Sequence, residues 1–191
     1  MAEPTLILAS ASPRRRELLA RLGVEPCAIA AADIDETPHK AEIPRIYAMR
    51  MAREKAQATA SDDSYVLAGD TVVALGRRIL PKADDAATAR HCLNILSGRR
   101  HRVLSAIALR APDGSIREKI SETIVRFKTL SSAEIDAYIA GMEWQGKAGG
   151  YAIQGRAETL ISWISGSHSG VMGLPLFETR SLLQSAGFAV D

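Results

Sequence analysis

Thr5 to Ala9 is a short apolar run that stops at Ser10-Ala11-Ser12-Pro13. Helical spacing begins at once, with Leu18, Leu19 and Leu22 on one face of Arg14 to Leu22. A strand that runs through a serine-rich turn into a helix is the opening unit of an α/β chain. Ser12 suits the N-cap, Pro13 the first helical position and Gly23 the C-terminal cap. The alternation then continues. Cys27 to Ala31 reads as a second strand, and Ile43 to Ala60 as a helix with Ile46, Met49, Ala52 and Ala56 at helical spacing. Tyr65 to Ala68 is a strand that resumes at Thr71 to Leu75 beyond Gly69-Asp70, and Gly76-Arg77-Arg78 is a hairpin turn.

Asp84 or Asp85 caps the next helix, which carries Ala86, Ala89, Leu93 and Leu96 and closes at Gly98. Arg102 to Arg110 alternates, Pro112-Asp113-Gly114 turns, and Ile116 to Phe127 returns as the partner strand. Ser131 to Glu134 is a capping box before a short helix ending at Gly141. A glycine-rich loop runs from Gly146 to Gly155, Thr159 to Ile164 is a strand, and Pro175 begins a last helix that runs to Gly187. With no repeat and no linker-like stretch, residues 1–191 read as one α/β domain built on a mixed sheet.

Composition excludes several classes. A hydrophobic fraction of 47% and a charged fraction of 24% fit a soluble globular chain and rule out disorder. A net charge of +2 and 5% aromatic residues count against a broad basic groove or stacking platform for nucleic acid. Phosphate affinity should therefore be local. No basic start followed by a long apolar centre marks a signal peptide, and the uncharged stretch Thr159 to Phe177 is broken by Gly166, Gly170, Gly173 and Pro175. The expectation is a cytoplasmic protein without a membrane partner, with Cys27 and Cys92 as reduced core thiols.

Five clusters bear chemistry. Ser10-Ala11-Ser12-Pro13-Arg14-Arg15-Arg16 puts hydroxyls and guanidinium forks at a helix N-terminus, which favours anions. Arginines oppose the dipole there, so either the turn is a phosphate site or it is a solvated basic turn. Asp70 lies beside Gly69 inside an apolar segment, as a metal ligand, a general base, or a turn or bulge residue. The acidic run Asp33-Ile34-Asp35-Glu36 offers a second carboxylate to a Mg²⁺ site or forms a solvated loop. Lys55, Lys82 and Lys147 read singly as surface and together, near carboxylates, as a triphosphate–metal pocket. Gly146 to Gly155 either lets a ligand approach the backbone, with Gln154 pairing to a base edge, or is a flexible loop; it contains no Walker motif. His39, His91, His101 and His168 show no zinc spacing.

Taken in order, the anchors Leu8-Ala9-Ser10-Ala11-Ser12-Pro13-Arg14-Arg15, Ala52-Arg53-Glu54-Lys55-Ala56, Gly69-Asp70-Thr71-Val72-Val73, Leu96-Ser97-Gly98 with His101, Lys147-Ala148-Gly149-Gly150-Tyr151 with Gln154-Gly155, and Gly173-Leu174-Pro175-Leu176 resemble the Maf family of nucleoside triphosphate pyrophosphatases. The resemblance spans nearly the whole chain. It implies a fold like that of the inosine triphosphate pyrophosphatases: an elongated mixed β-sheet flanked by helices, with two lobes around a cleft. It implies hydrolysis of a nucleoside triphosphate to monophosphate and pyrophosphate with a divalent cation, Mg²⁺ or Mn²⁺, and it allows a homodimer. The family's catalytic acid falls on Asp70 and its substrate-selecting positions on Arg14, Thr71 and Gln154, a set that resembles the branch acting on dTTP and UTP. The expected roles are Glu36 and Asp70 for the metal, Asp70 for the attacking water, Ser10, Arg14, Arg15, Lys55 and Lys82 for the phosphates, and Thr71 and Gln154 for the pyrimidine. The competing class is a non-catalytic nucleotide-binding regulator of cell division.

Overall fold

In the computed structural model, which describes residues 4–59 and 61–190, the opening apolar run forms strand β1 (Leu6–Ala9) and the helix after it is α1 (Pro13–Ala20). Ser12 stands at the N-cap but its side chain does not cap; its carbonyl accepts from the Arg15 and Arg16 N–H groups instead. The expected strand around Cys27 shrinks to β2 (Ala28–Ile29), an outer strand whose residues are exposed. Cys27 is exposed too, which corrects its reading as a core thiol; Cys92 is buried as expected. Helix α2 (Pro44–Ala58) buries Tyr47, Ala48, Met51, Ala52, Lys55 and Ala56. Ile46, expected on the inner face, is 53% exposed, because the sheet lies one residue round the helix from the assumed stripe. Ala60, the expected end of that helix, lies outside the described residues.

β3 (Tyr65–Leu75) runs unbroken through Gly69 and Asp70, so Asp70 is neither a turn nor a bulge residue. It turns at Gly76 into β4 (Arg78–Leu80). After β5 (Lys82–Ala83), helix α3 (Ala86–Leu96) is capped by Asp85, whose carboxylate accepts the Thr88 N–H at 2.7 Å. β6 (Arg100–Arg110) and β7 (Ile116–Phe127) form the long hairpin, and the Ser131 capping box opens α4 (Ser132–Ala140). The glycine-rich loop is not loose: β8 (Lys147–Ala148) lies in it and pairs with β5. The next expected strand begins later than its apolar pattern implied, since Arg156–Leu160 winds as a 3₁₀ turn before β9 (Ile161–Ser165). Short helix α5 (His168–Met172), unforeseen, precedes α6 (Leu176–Ser185).

The main sheet has the order β2-β1-β3-β6-β7-β9, with β4 folded back on β3. β1 is parallel to both β2 and β3, and the remaining pairs are antiparallel, so the sheet is mixed. Strands of eleven and twelve residues give it a long axis of about 35 Å. One face packs α2 against Val66, Ala68, Val72, Leu104, Ala106 and Ala108. The other holds a larger core that joins α1, α3, α4 and α6 through Leu18, Leu93, Tyr138, Leu183 and their neighbours. The β5–β8 ribbon lies against α3 and β3, and α3 packs on α4. No helix among the described residues is long and apolar enough to cross a membrane.

One break in the sheet positions the site. β1 pairs with β3 only as far as Ala9 opposite Ala68, and β4 joins the same edge only from Val73. Between those points Gly69 to Val72 keep β6 on one side and open on the other. Successive strand residues point to opposite faces, so Asp70 turns toward α2 and Thr71 toward α1 and α5.

Candidate active site

A cavity of about 290 Å³ opens at that notch, and it is lined by every residue given an expected role, Ser10, Arg14, Arg15, Glu36, Lys55, Asp70, Thr71, Lys82 and Gln154, and by Lys147. Arg16, Asp33 and Asp35 do not line it. Asp35 instead closes its own turn by accepting the Thr37 N–H at 2.8 Å. An adjoining chamber of about 380 Å³, walled by Pro38, Tyr47, Val72, Ile79, Leu80 and Pro81, shares Glu36, Asp70, Thr71 and Lys82 with the first.

The basic turn is held from within. Arg15 donates from Nε to the Gly173 carbonyl at 2.8 Å, from Nη1 to Ser10 Oγ at 3.0 Å and from Nη2 to Thr71 Oγ1 at 3.4 Å. All three acceptors are neutral, and no carboxylate pairs with Arg15 among the described residues. Burial pulls its pKa down and the nearby Asp70 pushes it back up, but a guanidinium stays charged in either case. The result is a fixed cation tied to β3 and to the end of α5. Thr71 is likewise committed: its hydroxyl pairs with Ser105 Oγ at 2.9 Å, and Ser105 donates to the Gly170 carbonyl at 2.5 Å. Arg14 and Lys147 are each drawn down in pKa by burial, and Lys147 also by the charge of Arg14.

Beyond Thr71 the charges alternate. Lys82 Nζ reaches Glu36 Oε2 at 2.5 Å, Lys55 Nζ reaches Glu36 Oε1 at 2.9 Å, and the same Lys55 Nζ reaches Asp70 Oδ1 at 2.7 Å. Burial tends to raise the Glu36 pKa, but hydrogen bonds from Lys82 and Lys55 overcome it and hold the carboxyl at about 2. Both lysines expected on the phosphates thus rest on the two carboxylates expected on the metal. Two residues not foreseen set the loop that carries Glu36. Tyr47 Oη donates to the Glu36 carbonyl at 2.7 Å, and Arg50 Nη2 donates to the Thr37 carbonyl at 3.1 Å while its guanidinium grips Glu42 with two bonds of 2.8 Å. The i, i+4 spacing of Arg50 and Glu54 was the only sequence signal for this anchor, and it marks the weaker of Arg50's two acidic partners.

The donor set suits a hard divalent cation. Asp70 and Glu36 already converge on one positive charge, the Lys55 ammonium. Among the described residues no cluster of three or more His, Cys, Asp or Glu side chains is placed to hold a metal. A cation held by two carboxylates would take its other ligands from phosphate oxygens and water, which is the habit of Mg²⁺.

The far bank is the glycine-rich segment. Gly149 lies at φ +67°, and a Cβ there would stand 2.8 Å from Val73 Cγ1, so the ribbon meets β3 with no room for a side chain. Tyr151, buried and lining the same cavity, is bonded to His101 Nε2 at 2.8 Å. Burial lowers the His101 pKa to about 4, with the nearby Arg99 carbonyl offsetting only part of it. The ring is therefore neutral, and it shares one hydrogen bond with the Tyr151 hydroxyl.

Comparison with known proteins agrees with this architecture. A family model described as Maf-like protein matches residues 5–186. A dTTP/UTP pyrophosphatase of Novosphingobium aromaticivorans is 65% identical over 189 residues, covering 98% of this chain and 94% of its own. One of Rhodospirillum rubrum is 60% identical over 185 residues, covering 96% and 88%, and one of Sphingopyxis alaskensis is 60% identical over 185 residues, covering 96% and 97%. Among solved structures, a HAM1 protein from Coxiella burnetii superposes with a TM-score of 0.53 at 19% identity, covering 95% of this chain and 99% of its own, a likeness of fold.

Proposed function

The chain belongs to the Maf-like protein family, and on that premise we propose that it hydrolyses dTTP and UTP to the nucleoside monophosphate and pyrophosphate. The observation that carries the reading is the sharing of one cavity by a deeply set carboxylate, Asp70 at 5% exposure, and the cations Arg14, Arg15, Lys55 and Lys82. A triphosphate needs that many positive groups, and a water attacking it needs a base beside them. The names of the relatives support the substrate pair.

In the proposed reaction water attacks the α-phosphorus. A bond forms from the water oxygen to that phosphorus, the bond to the oxygen bridging to the β-phosphorus breaks, and pyrophosphate leaves with that oxygen. Asp70 takes the water's proton. Its Oδ1 is held by Lys55, which leaves Oδ2 as the accepting atom. Ser10, Arg14, Arg15, Lys55 and Lys82 hold the phosphates and stabilise the charge that builds on the leaving group. Arg15 is suited to this because its geometry is set before substrate arrives. Mg²⁺ or Mn²⁺ is the proposed cofactor; Glu36 and Asp70 would hold it, and when bound it supplies further neutralisation of the triphosphate. Gln154 reads the base: uracil and thymine both present an N3–H donor beside the O4 acceptor, which a carboxamide complements. Thr71 borders the base. The substrates are cytoplasmic metabolites, and we assign the protein to that compartment.

The test is pyrophosphate and orthophosphate release from a panel of ribo- and deoxynucleoside triphosphates, with and without Mg²⁺ or Mn²⁺. The reading expects pyrophosphate, UTP and dTTP as the best substrates, and loss of turnover with chelator. Failure to release pyrophosphate from any of them would return the chain to the class of nucleotide-binding regulators.

A further inference from the structure

Gln154 enters the cavity from an exposed position, and among the described residues its carboxamide has no hydrogen-bonding partner. No hydrogen bond to the side chain fixes where it stands. The backbone on either side of it is fixed instead. Two residues before it, the Ala152 N–H is donated to Tyr138 Oη at 3.0 Å. Two residues after it, the Arg156 N–H is donated to Glu143 Oε2 at 2.8 Å. Between them the Gly155 N–H closes the turn on the Ala152 carbonyl at 3.1 Å. Tyr138 sits near the end of α4 at 3% exposure, Glu143 follows that helix, and neither lines the cavity.

The fit of this clamp is close. A Cβ at position 155 would stand 2.0 Å from Glu143 Oε2, so the carboxylate fills the space of a side chain there. A side chain at 155 would displace the Glu143 carboxylate, although φ, at −117°, would admit one. The turn that delivers Glu143 is itself constrained. Met142 adopts φ +56°, a conformation unfavourable for a residue with a side chain. It is held there by neighbours: Trp144 Nε1 donates to the Ile139 carbonyl at 2.9 Å, and the Arg156 guanidinium packs on Gly141, where a Cβ would come within 3.1 Å of Nη1. Backbone strain of this kind persists where surrounding contacts over-determine it, and such places cluster around functional sites.

We propose that Glu143 and Tyr138 are positioning residues for base recognition, clamping the chain on both sides of Gln154 so that its carboxamide meets the nucleobase at one height. The inference rests on the reading of Gln154 as the group that recognises the base. Losing either anchor frees the turn to shift, and a misplacement of about 1 Å costs up to ~10²-fold in a well-oriented site.

The test is the ratio of kcat/KM for UTP to that for GTP, measured on the full chain for Gln154→Ala, Glu143→Ala, Glu143→Gln and Tyr138→Phe. Glu143→Ala and Tyr138→Phe should each lower the ratio by roughly tenfold, chiefly by raising KM for UTP. Glu143→Gln keeps an acceptor oxygen for the Arg156 N–H and should restore most of the ratio. Gln154→Ala should abolish the preference, and Glu143→Ala added to it should change the ratio no further, as for two residues acting through one. A fall in kcat for both nucleotides alike with the ratio unchanged would mark Glu143 and Tyr138 as merely structural and overturn the inference. A ratio lost in Gln154→Ala but intact in the other two variants would overturn it while leaving the base reading standing. A ratio intact in Gln154→Ala would remove the base reading and the inference with it. Should Glu143→Ala fail to fold, Tyr138→Phe carries the same test.

Discussion

Lys55 Nζ lies 2.7 Å from Asp70 Oδ1 and 2.9 Å from Glu36 Oε1, so one ammonium from α2 joins the carboxylate of β3 to that of the loop before α2. Lys55 and Asp70 side chains are 9% and 6% exposed. Removing one member of such a pair leaves the other charge buried alone, which costs about 3–5 kcal/mol in stability. Lys55→Met should therefore lower the free energy of urea unfolding by about 3 kcal/mol. The Lys55→Met/Asp70→Asn double variant should recover much of that loss, because the orphaned charge is gone. Additive effects of the two substitutions would show that the pair is not coupled in the folded chain.

Asp70→Asn separates chemistry from binding. The amide keeps a carbonyl oxygen for Lys55 but cannot take a proton. Turnover of UTP should fall by roughly 10²–10⁴-fold, the usual size of a lost general base. The Kd for UTP from calorimetry without divalent cation should stay within about threefold, because the side-chain cations that hold the phosphates are untouched. Turnover within tenfold of wild type would take the base role away from Asp70.

What the sequence conveyed about this site was residue type. Ser10, Arg14 and Arg15 were legible because arginines at a helix N-terminus oppose the dipole and need a reason to be there, and Asp70 because a carboxylate rarely interrupts an apolar strand. Their assembly was not legible. The open edge from Gly69 to Val72 exists because β1 stops at Ala9 and β4 ends at Leu80, opposite Val73, and register between distant strands has no local signal. The same limit misplaced Ile46: α2 is apolar around much of its girth, and only the position of the sheet decides that Tyr47 and Met51 face inward. Cys27 was misjudged because apolar neighbours imply burial only in an inner strand, and β2 is an outer one. The anchors Tyr47 and Arg50 act on main-chain carbonyls, which every residue has and no motif marks.

Stability should depend on pH through His101. Burial holds its folded pKa at about 4, below the ordinary value of about 6.5 for an exposed imidazole. Between those values the unfolded chain binds a proton that the folded chain does not, so stability rises with pH across that window and is lost as pH falls from about 6.5 to 4. The full effect is about 3 kcal/mol. Glu36 acts at lower pH: its carboxyl, held at about 2, contributes stability that is present above about 4.5 and disappears only as pH falls through its folded value. Urea unfolding of wild type and His101→Gln from pH 7.5 to 4.5 checks the first effect. The variant should lose most of the slope below pH 6.5, and an unchanged slope would assign it to other groups.

Hydrolysis of UTP in ¹⁸O-labelled water tests the central claim most directly. Attack on the α-phosphorus by a water that Asp70 deprotonates puts the label in UMP and leaves the released pyrophosphate unlabelled, as mass spectrometry of both products would register. Label in the pyrophosphate, or release of labelled orthophosphate with UDP, would place the attack at another phosphorus and contradict the account.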